Sequence, residues 1–330
     1  AVAMGNAATA NGVSAVAIGP SANVQREQGI AIGTGATVTT NSNQGIALGT
    51  AASSNAGNST AIGTLANAKA DASIAIGRNS VVEREKGIAI GEAATATSNS
   101  TQAIAIGVSS ISNGTNSTAI GTNARGGYVD SVALGTAANA SNYEAIAIGK
   151  SSVNGAISGT AIGTRANIGG WAQNAIAFGT DATVNGASGS SQGNNAIAMG
   201  YNASTTGENT IAMGMTAKAN QDSSIAIGRE SNTAGKYGLA IGRNANASTT
   251  EENAIALGRN TVAGRDSAIA VGLGAQATGQ FSQAVGRYAN ASGGAALAMG
   301  LSACATNTNS LALGSNAKAQ GIGTVALGVD

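Results

Sequence analysis

Three arginines occupy equivalent places in the sequence, each directly after a glycine: Arg229, Arg243 and Arg259. If the fold stacks these places on one another, the guanidinium groups form a basic row that can hold the carboxylates of an acidic protein or the anionic groups of a glycan. A solvated edge that discourages sheet-to-sheet aggregation explains the same row equally well. The choice between these interpretations depends on the elements that carry the arginines.

A polar insertion is the second candidate for binding. The spacing between Gly179 and Gly200 exceeds the usual repeat by seven residues. Recognition residues often lie on loops that a rigid scaffold positions, although an insertion without any binding role is an open alternative. The candidate ligand-binding residues of this segment are Asp181, Asn185, Ser188, Ser190 and Asn194.

The sequence offers no residue pattern for catalysis. It contains no histidine, which is the usual general base of hydrolases and the commonest transition-metal ligand. The glycine-rich segments lack the Lys-Ser/Thr ending of a phosphate-binding loop. The single cysteine, Cys304, has no partner motif and is interpreted as a small buried residue. We therefore predict a protein that is not an enzyme and that has no cofactor and no metal site.

Composition narrows the class of partner. Among the 330 residues, 43% are hydrophobic but only 2% are aromatic, and the formal net charge is +1. This charge gives no support to nucleic-acid binding, which needs clustered excess Lys and Arg. No apolar run approaches the roughly 20 residues that span a bilayer. Because the sequence begins and ends inside a repeat, we interpret it as a fragment of a longer protein.

A short phrase ending in glycine organises the whole sequence. It occurs 23 times between Gly5 and Gly328, and seventeen of the 22 intervals are 14 residues long. Alanine stands two residues before every one of these glycines, and a bulky apolar residue stands directly before each. In most copies the bulky residues of the phrase are two positions apart, which is the period at which side chains share one face of a β-strand. A second segment with the same alternation follows the glycine. The pattern predicts an all-β parallel solenoid, a single continuous domain over residues 1–330, roughly 110 Å long at one coil per 4.8 Å.

The invariant alanine predicts contacts between chains. We expect the bulky residues, such as Ile74 and Ile76, to fill the interior and Ala75 to face outwards. Two buried aliphatics per coil, at about 1.5 to 3 kcal/mol each, do not offset the ordering of 14 residues. A small outward residue would let other chains approach closely. On this interpretation, Ala147→Leu would dissociate the assembly.

Several phrases resemble the head repeat of the YadA-like trimeric autotransporter adhesins. They include residues 58–63, 116–121 and 309–314, which read NSTAIG, NSTAIG and NSLALG. The resemblance implies a left-handed parallel β-roll, a homotrimer, and display on a Gram-negative cell surface with an outer-membrane anchor outside this fragment. It also implies multivalent binding of collagen, fibronectin, laminin or host cell receptors.

Two alternatives remain open at this point. The array would equally serve as a structural spacer or a self-association (autoagglutination) module, with recognition carried elsewhere. Ice binding is the second alternative, because flat solenoids that bind ice do so through ladders of threonine residues. Threonine follows the glycine at Thr34, Thr50 and Thr64, but charged residues interrupt the row in later repeats.

Overall fold

The computed structural model describes residues 1–97, 99–186, 192–247 and 252–328. They form two compact units, Ala1–Ser158 and Gly159–Asp330, each a parallel β-solenoid. One coil consists of a three-residue strand, a first turn that begins at the repeated glycine, a two-residue strand and a second turn. The described residues contain 23 three-residue strands and no helix. The predicted all-β parallel solenoid of about 23 coils is therefore confirmed, whereas its predicted handedness and its continuity as one domain stay predictions.

The first unit contains eleven coils. Its three-residue strands are Val2–Met4, Val16–Ile18, Ile30–Ile32, Ile46–Leu48, Thr60–Ile62, Ile74–Ile76, Ile88–Ile90, Ile104–Ile106, Thr118–Ile120, Val132–Leu134 and Ile146–Ile148. Its two-residue strands are Thr9–Ala10, Asn23–Val24, Thr37–Val38, Ser53–Ser54, Asn67–Ala68, Val81–Val82, Thr95–Ala96, Ile111–Ser112, Arg125–Gly126, Asn139–Ala140 and Val153–Asn154.

The second unit repeats the same plan. Its three-residue strands are Thr160–Ile162, Ile176–Phe178, Ile197–Met199, Ile211–Met213, Ile225–Ile227, Leu239–Ile241, Ile255–Leu257, Ile269–Val271, Gln283–Val285, Leu297–Met299, Leu311–Leu313 and Val325–Leu327. Its two-residue strands are Asn167–Ile168, Thr183–Val184, Ser204–Thr205, Lys218–Ala219, Asn232–Thr233, Asn246–Ala247, Val262–Ala263, Gln276–Ala277, Asn290–Ala291, Cys304–Ala305 and Lys318–Ala319.

Equivalent residues of successive coils lie beside one another. In the three-residue strands, Ile74 pairs with Ile88 and Ala75 pairs with Ala89, both in parallel. The two-residue strands pair in the same way, as Asn67 does with Val81. Each position of the repeat therefore forms a ladder along the solenoid, and each ladder has one chemical character.

Small side chains fill the interior. The coil that contains Ala61 directs four residues inwards, Ala61, Ala66, Ala68 and Ser73, and all four are fully buried. The same four places in other coils hold Ala, Ser, Thr, Gly or Val, with Ile168 and Asn154 among the largest. The two sheets are therefore so close that an isoleucine pair from every coil would not fit between them.

The predicted orientation of the three-residue strands is wrong. Ala75 is fully buried inside the roll, whereas Ile74 and Ile76 are half-buried on its outer surface. The same arrangement recurs at Ala147, which is also fully buried. The alanine is invariant because the narrow interior admits nothing larger, and the bulky aliphatics form the outer face of the sheet.

The repeated glycine has a backbone conformation that other residues rarely adopt. Gly63 has φ of 128°, and a Cβ at this place would lie 2.8 Å from the carbonyl carbon of Gly77 in the next coil. Two residues later, Leu65 takes φ of 59°, and its N–H donates to the Thr50 carbonyl oxygen at 2.9 Å. The glycine ladder therefore sets the close approach of successive coils at the first turn.

Buried hydroxyl groups close both turns. In the first turn, the Ser80 hydroxyl donates to the Gly77 carbonyl oxygen at 2.9 Å. In the second turn, the Ser117 hydroxyl donates to the Gly114 carbonyl oxygen at 2.6 Å. These interior serines are fully buried, and the hydrogen bonds satisfy polar groups that would otherwise destabilise the roll.

Extra residues are accommodated in the second turn. A 16-residue interval places seven residues between Thr37–Val38 and Ile46–Leu48, whereas a 14-residue coil has five residues there. The strands on either side keep their register, since Ile30 pairs with Ile46. In the intervals before Gly49 and Gly179, which the structure describes throughout, the extra residues lengthen this polar turn, as predicted, and the strands on either side stay paired.

Because Ala147 is buried inside the roll, we expect Ala147→Leu to destabilise the fold of the chain itself and not only contacts between chains. The added side chain overpacks a closed layer, so we expect the free energy of unfolding to fall by about 1 to 3 kcal/mol or more. Thermal unfolding followed by circular dichroism measures this effect. The matched control is Ile146→Leu on the outer face, which should change stability little. An unchanged melting temperature for Ala147→Leu would contradict the narrow interior.

Candidate functional site

The three predicted arginines lie at the same place in successive first turns of the second unit. The Asn244 N–H donates to the Arg229 carbonyl oxygen at 2.9 Å, and the Asn260 N–H donates to the Arg243 carbonyl oxygen at 2.9 Å. The backbones are therefore stacked one coil apart, and Arg259 continues the row. All three side chains are exposed. The stacking is as predicted, and the binding role stays a prediction.

Acidic and amide groups run beside this arginine row. The Arg229 Nε donates to the Glu230 Oε1 at 2.9 Å, so this guanidinium already has a carboxylate partner. In the next two coils asparagines take the place of Glu230, and the Asn244 Nδ2 donates to the Asn260 Oδ1 at 3.1 Å. The most basic part of the row is therefore at Arg243 and Arg259.

The arginine row is suited to an extended anionic ligand. The backbones that carry the arginines repeat at about 4.8 Å along the solenoid, and the Arg243 and Arg259 guanidinium groups can each bind a carboxylate or sulfate in a bidentate manner. Because the side chains are exposed, a single contact contributes at most about 1 kcal/mol. Useful affinity therefore requires several such contacts at once, on one chain or on several.

Asp181 is held by an arginine that the sequence did not single out. The Arg165 Nε and Nη2 donate to the Asp181 Oδ1 and Oδ2 at 2.6 and 2.7 Å. Both residues lie two positions after a repeated glycine, in adjacent coils, and both have positive φ. Asp181 therefore belongs to the first turn, away from the insertion that follows the two-residue strand Thr183–Val184.

This pairing changes the acidity of the carboxyl group. The hydrogen bonds from Arg165 hold the pKa of Asp181 below its usual range, partial desolvation opposes the shift, and the arginine charge adds to the lowering. At physiological pH the negative charge of the Asp181 carboxylate is thus balanced by the positive charge of the Arg165 guanidinium. A ligand would meet the Arg165–Asp181 pair and not an isolated negative charge.

The other insertion residues have different surroundings. The Asn185 N–H donates to the Thr205 carbonyl oxygen at 2.9 Å, and the Asn194 Oδ1 accepts from the Gln173 N–H at 2.8 Å. Both asparagines thus connect the insertion to neighbouring coils. Ser188 and Ser190 lie outside the described residues. The insertion leaves the sheet intact, since Ile176 pairs with Ile197 across it.

Two surfaces of the first unit were missed by reasoning from sequence. One is the outer aliphatic face of the three-residue strands, whose only signal was the invariant alanine between two bulky residues. The other is a pair of tyrosines, Tyr128 and Tyr143, in consecutive second turns, with ring centroids 5.1 Å apart. Only 2% of the residues are aromatic, so two neighbouring tyrosines are unusual in this chain, and this scarcity was the signal in the sequence.

The described ranges contain no cluster of three or more His, Cys, Asp or Glu side chains that could hold a metal ion. Within the same ranges, no helix is long and apolar enough to cross a membrane.

The Asp181 pKa provides a direct test of the Arg165 contact. Because this pKa is lowered, the charged pair is complete above the ordinary aspartate range and is lost as pH falls through the lowered value. Carbon-detected NMR titration should show that Arg165→Gln raises the Asp181 pKa towards its usual range. Arg229→Gln, which removes a different exposed ion pair, should leave it unchanged. An equal pKa in wild type and Arg165→Gln would refute the contact.

A comparison with models of known protein families found a match to the repeated coils. The model of the YadA head domain repeat matches residues 1–22, 10–36, 41–66, 54–80, 98–124, 129–152, 191–217, 206–231, 234–261, 250–275 and 305–330. The comparison with curated proteins found no significant match. The matched segments cover more than half of the chain and lie in both units, so the chain belongs to the YadA head domain repeat family.

Proposed function

We propose that the chain is the head of a trimeric autotransporter adhesin, displayed on a bacterial surface and attaching the cell to host matrix proteins or receptors. Membership of the YadA head family supports an adhesin-like role. The observation that carries the proposal is the outer aliphatic face of the three-residue strands. This face requires a partner, and further copies of the same chain are the partners that fit it best.

The outer aliphatic face is regular in each unit. In nine of the eleven coils of the first unit it presents two apolar residues, such as the half-buried Ile88 and Ile90, separated by an alanine. In the other two coils Thr60 and Thr118 replace one of them. Eleven strands at 4.8 Å spacing make this face about 50 Å long. Soluble monomers rarely expose a continuous apolar surface of this extent.

The opposite sheet has a different character. Its outward position holds mainly polar residues in the first unit, as at Asn67, Thr95 and Asn139. Each coil is therefore amphipathic, with an apolar side and a solvated side. This asymmetry supports an assembly in which the aliphatic faces of three chains meet around an axis and the polar sheets remain in water.

The trimer would also explain how weak contacts give firm attachment. Three copies of the arginine row would act on one extended ligand, and their contacts would add as avidity. Collagen, fibronectin, laminin and host receptors are the ligands to test. The alternative, a spacer or self-association module, shares the rigid repeat but makes no use of the arginine row.

The first prediction concerns assembly. Ile90→Glu combined with Ile106→Glu places two charges on the outer aliphatic face, where burial between chains would leave them unpaired. We expect sedimentation velocity to show trimers for the wild-type chain and monomers for this variant. Thr95→Glu, on the polar sheet between the same coils, is the matched control and should remain trimeric. Trimers that survive both face substitutions, or a wild-type monomer, would overturn the proposed interface.

The second prediction concerns attachment. Arg243→Glu combined with Arg259→Glu should weaken binding to at least one of immobilised collagen, fibronectin and laminin by about tenfold, because it reverses the most basic part of the row. Biolayer interferometry with the trimeric protein measures this change. Increased salt should weaken the wild-type interaction in parallel.

Lys150→Glu is the control for attachment. Lys150 directly follows a repeated glycine and is exposed, but Thr136 precedes it in the ladder, so it belongs to no basic row. This variant should bind as the wild type does. Absence of binding to every matrix protein by the wild type would favour the spacer alternative.

A further inference from the structure

We infer that the first unit carries a binding site for a neutral sugar ring at the cleft beside Tyr128 and Tyr143. This inference goes beyond the proposed attachment through the arginine row, and it does not depend on trimer assembly. The cleft has a volume of about 330 Å³ and lies along the second turns of consecutive coils. Its walls come from Asn99, Asn113, Tyr128, Val129 and Tyr143, with glycines between them.

The two tyrosines lie outside the packed interior of the roll. Tyr128 is 46% exposed and Tyr143 is 49% exposed, so neither fills the interior. Their ring centroids are 5.1 Å apart and their planes are inclined by 51°. The chain has only five tyrosines, and two of them meet here. Half-exposed aromatic rings on a rigid surface favour contact with a ligand that has one apolar face.

The backbone holds both tyrosines in place. The Ser131 hydroxyl donates to the Tyr128 carbonyl oxygen at 2.7 Å, and the Ser158 N–H donates to the Tyr143 carbonyl oxygen at 3.0 Å. A Cβ at Gly114 would lie 2.0 Å from the Tyr128 carbonyl oxygen, so this glycine lets the two turns pack closely. The backbone of both turns is therefore fixed before binding, so that a ligand has to order only the side chains of the cleft.

Gly127 also lines the cleft. Gly127 occupies the ladder position that Asn113 holds one coil earlier and Ser141 one coil later. A Cβ at Gly127 would lie 3.2 Å from the Ala140 carbonyl oxygen and from the Ser141 Cα, so this glycine lets the two turns stack closely beside the cleft. The cleft volume of about 330 Å³ is at the lower end of the roughly 300 to 1,000 Å³ usual for small-molecule sites. This size fits a single pyranose ring with its substituents.

The polar groups of the cleft match sugar hydroxyls. The Asn113 Oδ1 already accepts a hydrogen bond from the Thr97 hydroxyl, so Asn113 mainly offers its amide donors, whereas the Asn99 amide and the tyrosine hydroxyls supply donors and acceptors. A pyranose has C–H groups on one face, which pack on an aromatic ring, and hydroxyls around its rim, which pair with amides. A proline-rich peptide would cover the rings and offer carbonyl acceptors to the amide N–H groups, but it has few N–H donors for the acceptor oxygens of the cleft, whereas sugar hydroxyls both donate and accept.

Charge favours a neutral sugar over an acidic one. No Lys or Arg lines the cleft. Asp130 and Glu144 lie in the same two turns as the tyrosines, where they accept hydrogen bonds from Asn116 at 3.0 Å and Ser158 at 2.7 Å. Their negative charges would repel a carboxylate on the ligand. Neutral hexoses are therefore the expected class, and sialylated sugars are disfavoured.

Saturation-transfer-difference NMR tests this site with the full chain. The probes are lactose, cellobiose and maltose, with 3′-sialyllactose as the acidic comparison and a collagen-like proline-rich peptide as the competing class. We expect transfer to ring protons of at least one neutral disaccharide, and at least fivefold less transfer with Tyr128→Ala combined with Tyr143→Ala. The sialylated sugar should show weaker transfer than lactose.

Tyr201→Ala is the matched control, since it removes a tyrosine that is 56% exposed in the second unit. It should keep the wild-type transfer. Circular dichroism must show that the double variant retains the wild-type fold, and Tyr143→Phe, which keeps the ring, should retain most of the binding. The inference is overturned by absence of transfer to every neutral sugar, by full transfer in the double variant, or by binding of the peptide alone. Loss of matrix attachment in the arginine variants would leave these results unaffected, so the two proposals fail separately.

Discussion

The narrow space between the two sheets is the constraint on which the rest of the structure depends. Four inward positions per coil admit Ala, Ser, Thr, Gly or a small number of larger residues, as Ala61, Ala66, Ala68 and Ser73 illustrate. The larger aliphatics must therefore lie on the outer surface. The same constraint requires close stacking of the coils, which the glycine ladder permits through its positive φ. The apolar outer face is thus a direct result of the thin interior.

The surface of the coil divides into parts with separate chemistry. The outer face of the three-residue strands is aliphatic, the face of the two-residue strands is mainly polar, and the two turns carry the charged and aromatic groups. Because each position of the repeat forms a ladder, a single substitution changes that ladder at one coil only. Similar residues at the same position of three consecutive coils form a continuous row. Arg229, Arg243 and Arg259 form such a row, and they lie at a turn where the aliphatic face does not reach them.

Much of the architecture could be predicted from the sequence, but the side of the three-residue strands that faces inwards could not. The fixed spacing of glycine and the alternation around it predicted parallel strands and ladders, which the pairing of Ile74 with Ile88 confirms. Alternation alone does not say which side of a strand faces inwards, and the assumption that large apolar residues lie inside placed Ala75 wrongly. The arginine row followed from spacing. The pairing of Asp181 with Arg165 depends on side-chain conformation across adjacent coils, which spacing alone does not supply.

The second turn varies in length while the sheets keep their register, as the pairing of Ile30 with Ile46 shows across a longer loop. The pairing of the strands and the composition of the second turn are therefore independent of one another in this solenoid. A lineage can exchange, lengthen or delete one loop without re-optimising the strands beneath it. The length and the chemistry of the loops can change at this edge, coil by coil, while the repeating scaffold stays the same. The same freedom makes the edge a practical place to graft foreign peptides at defined intervals.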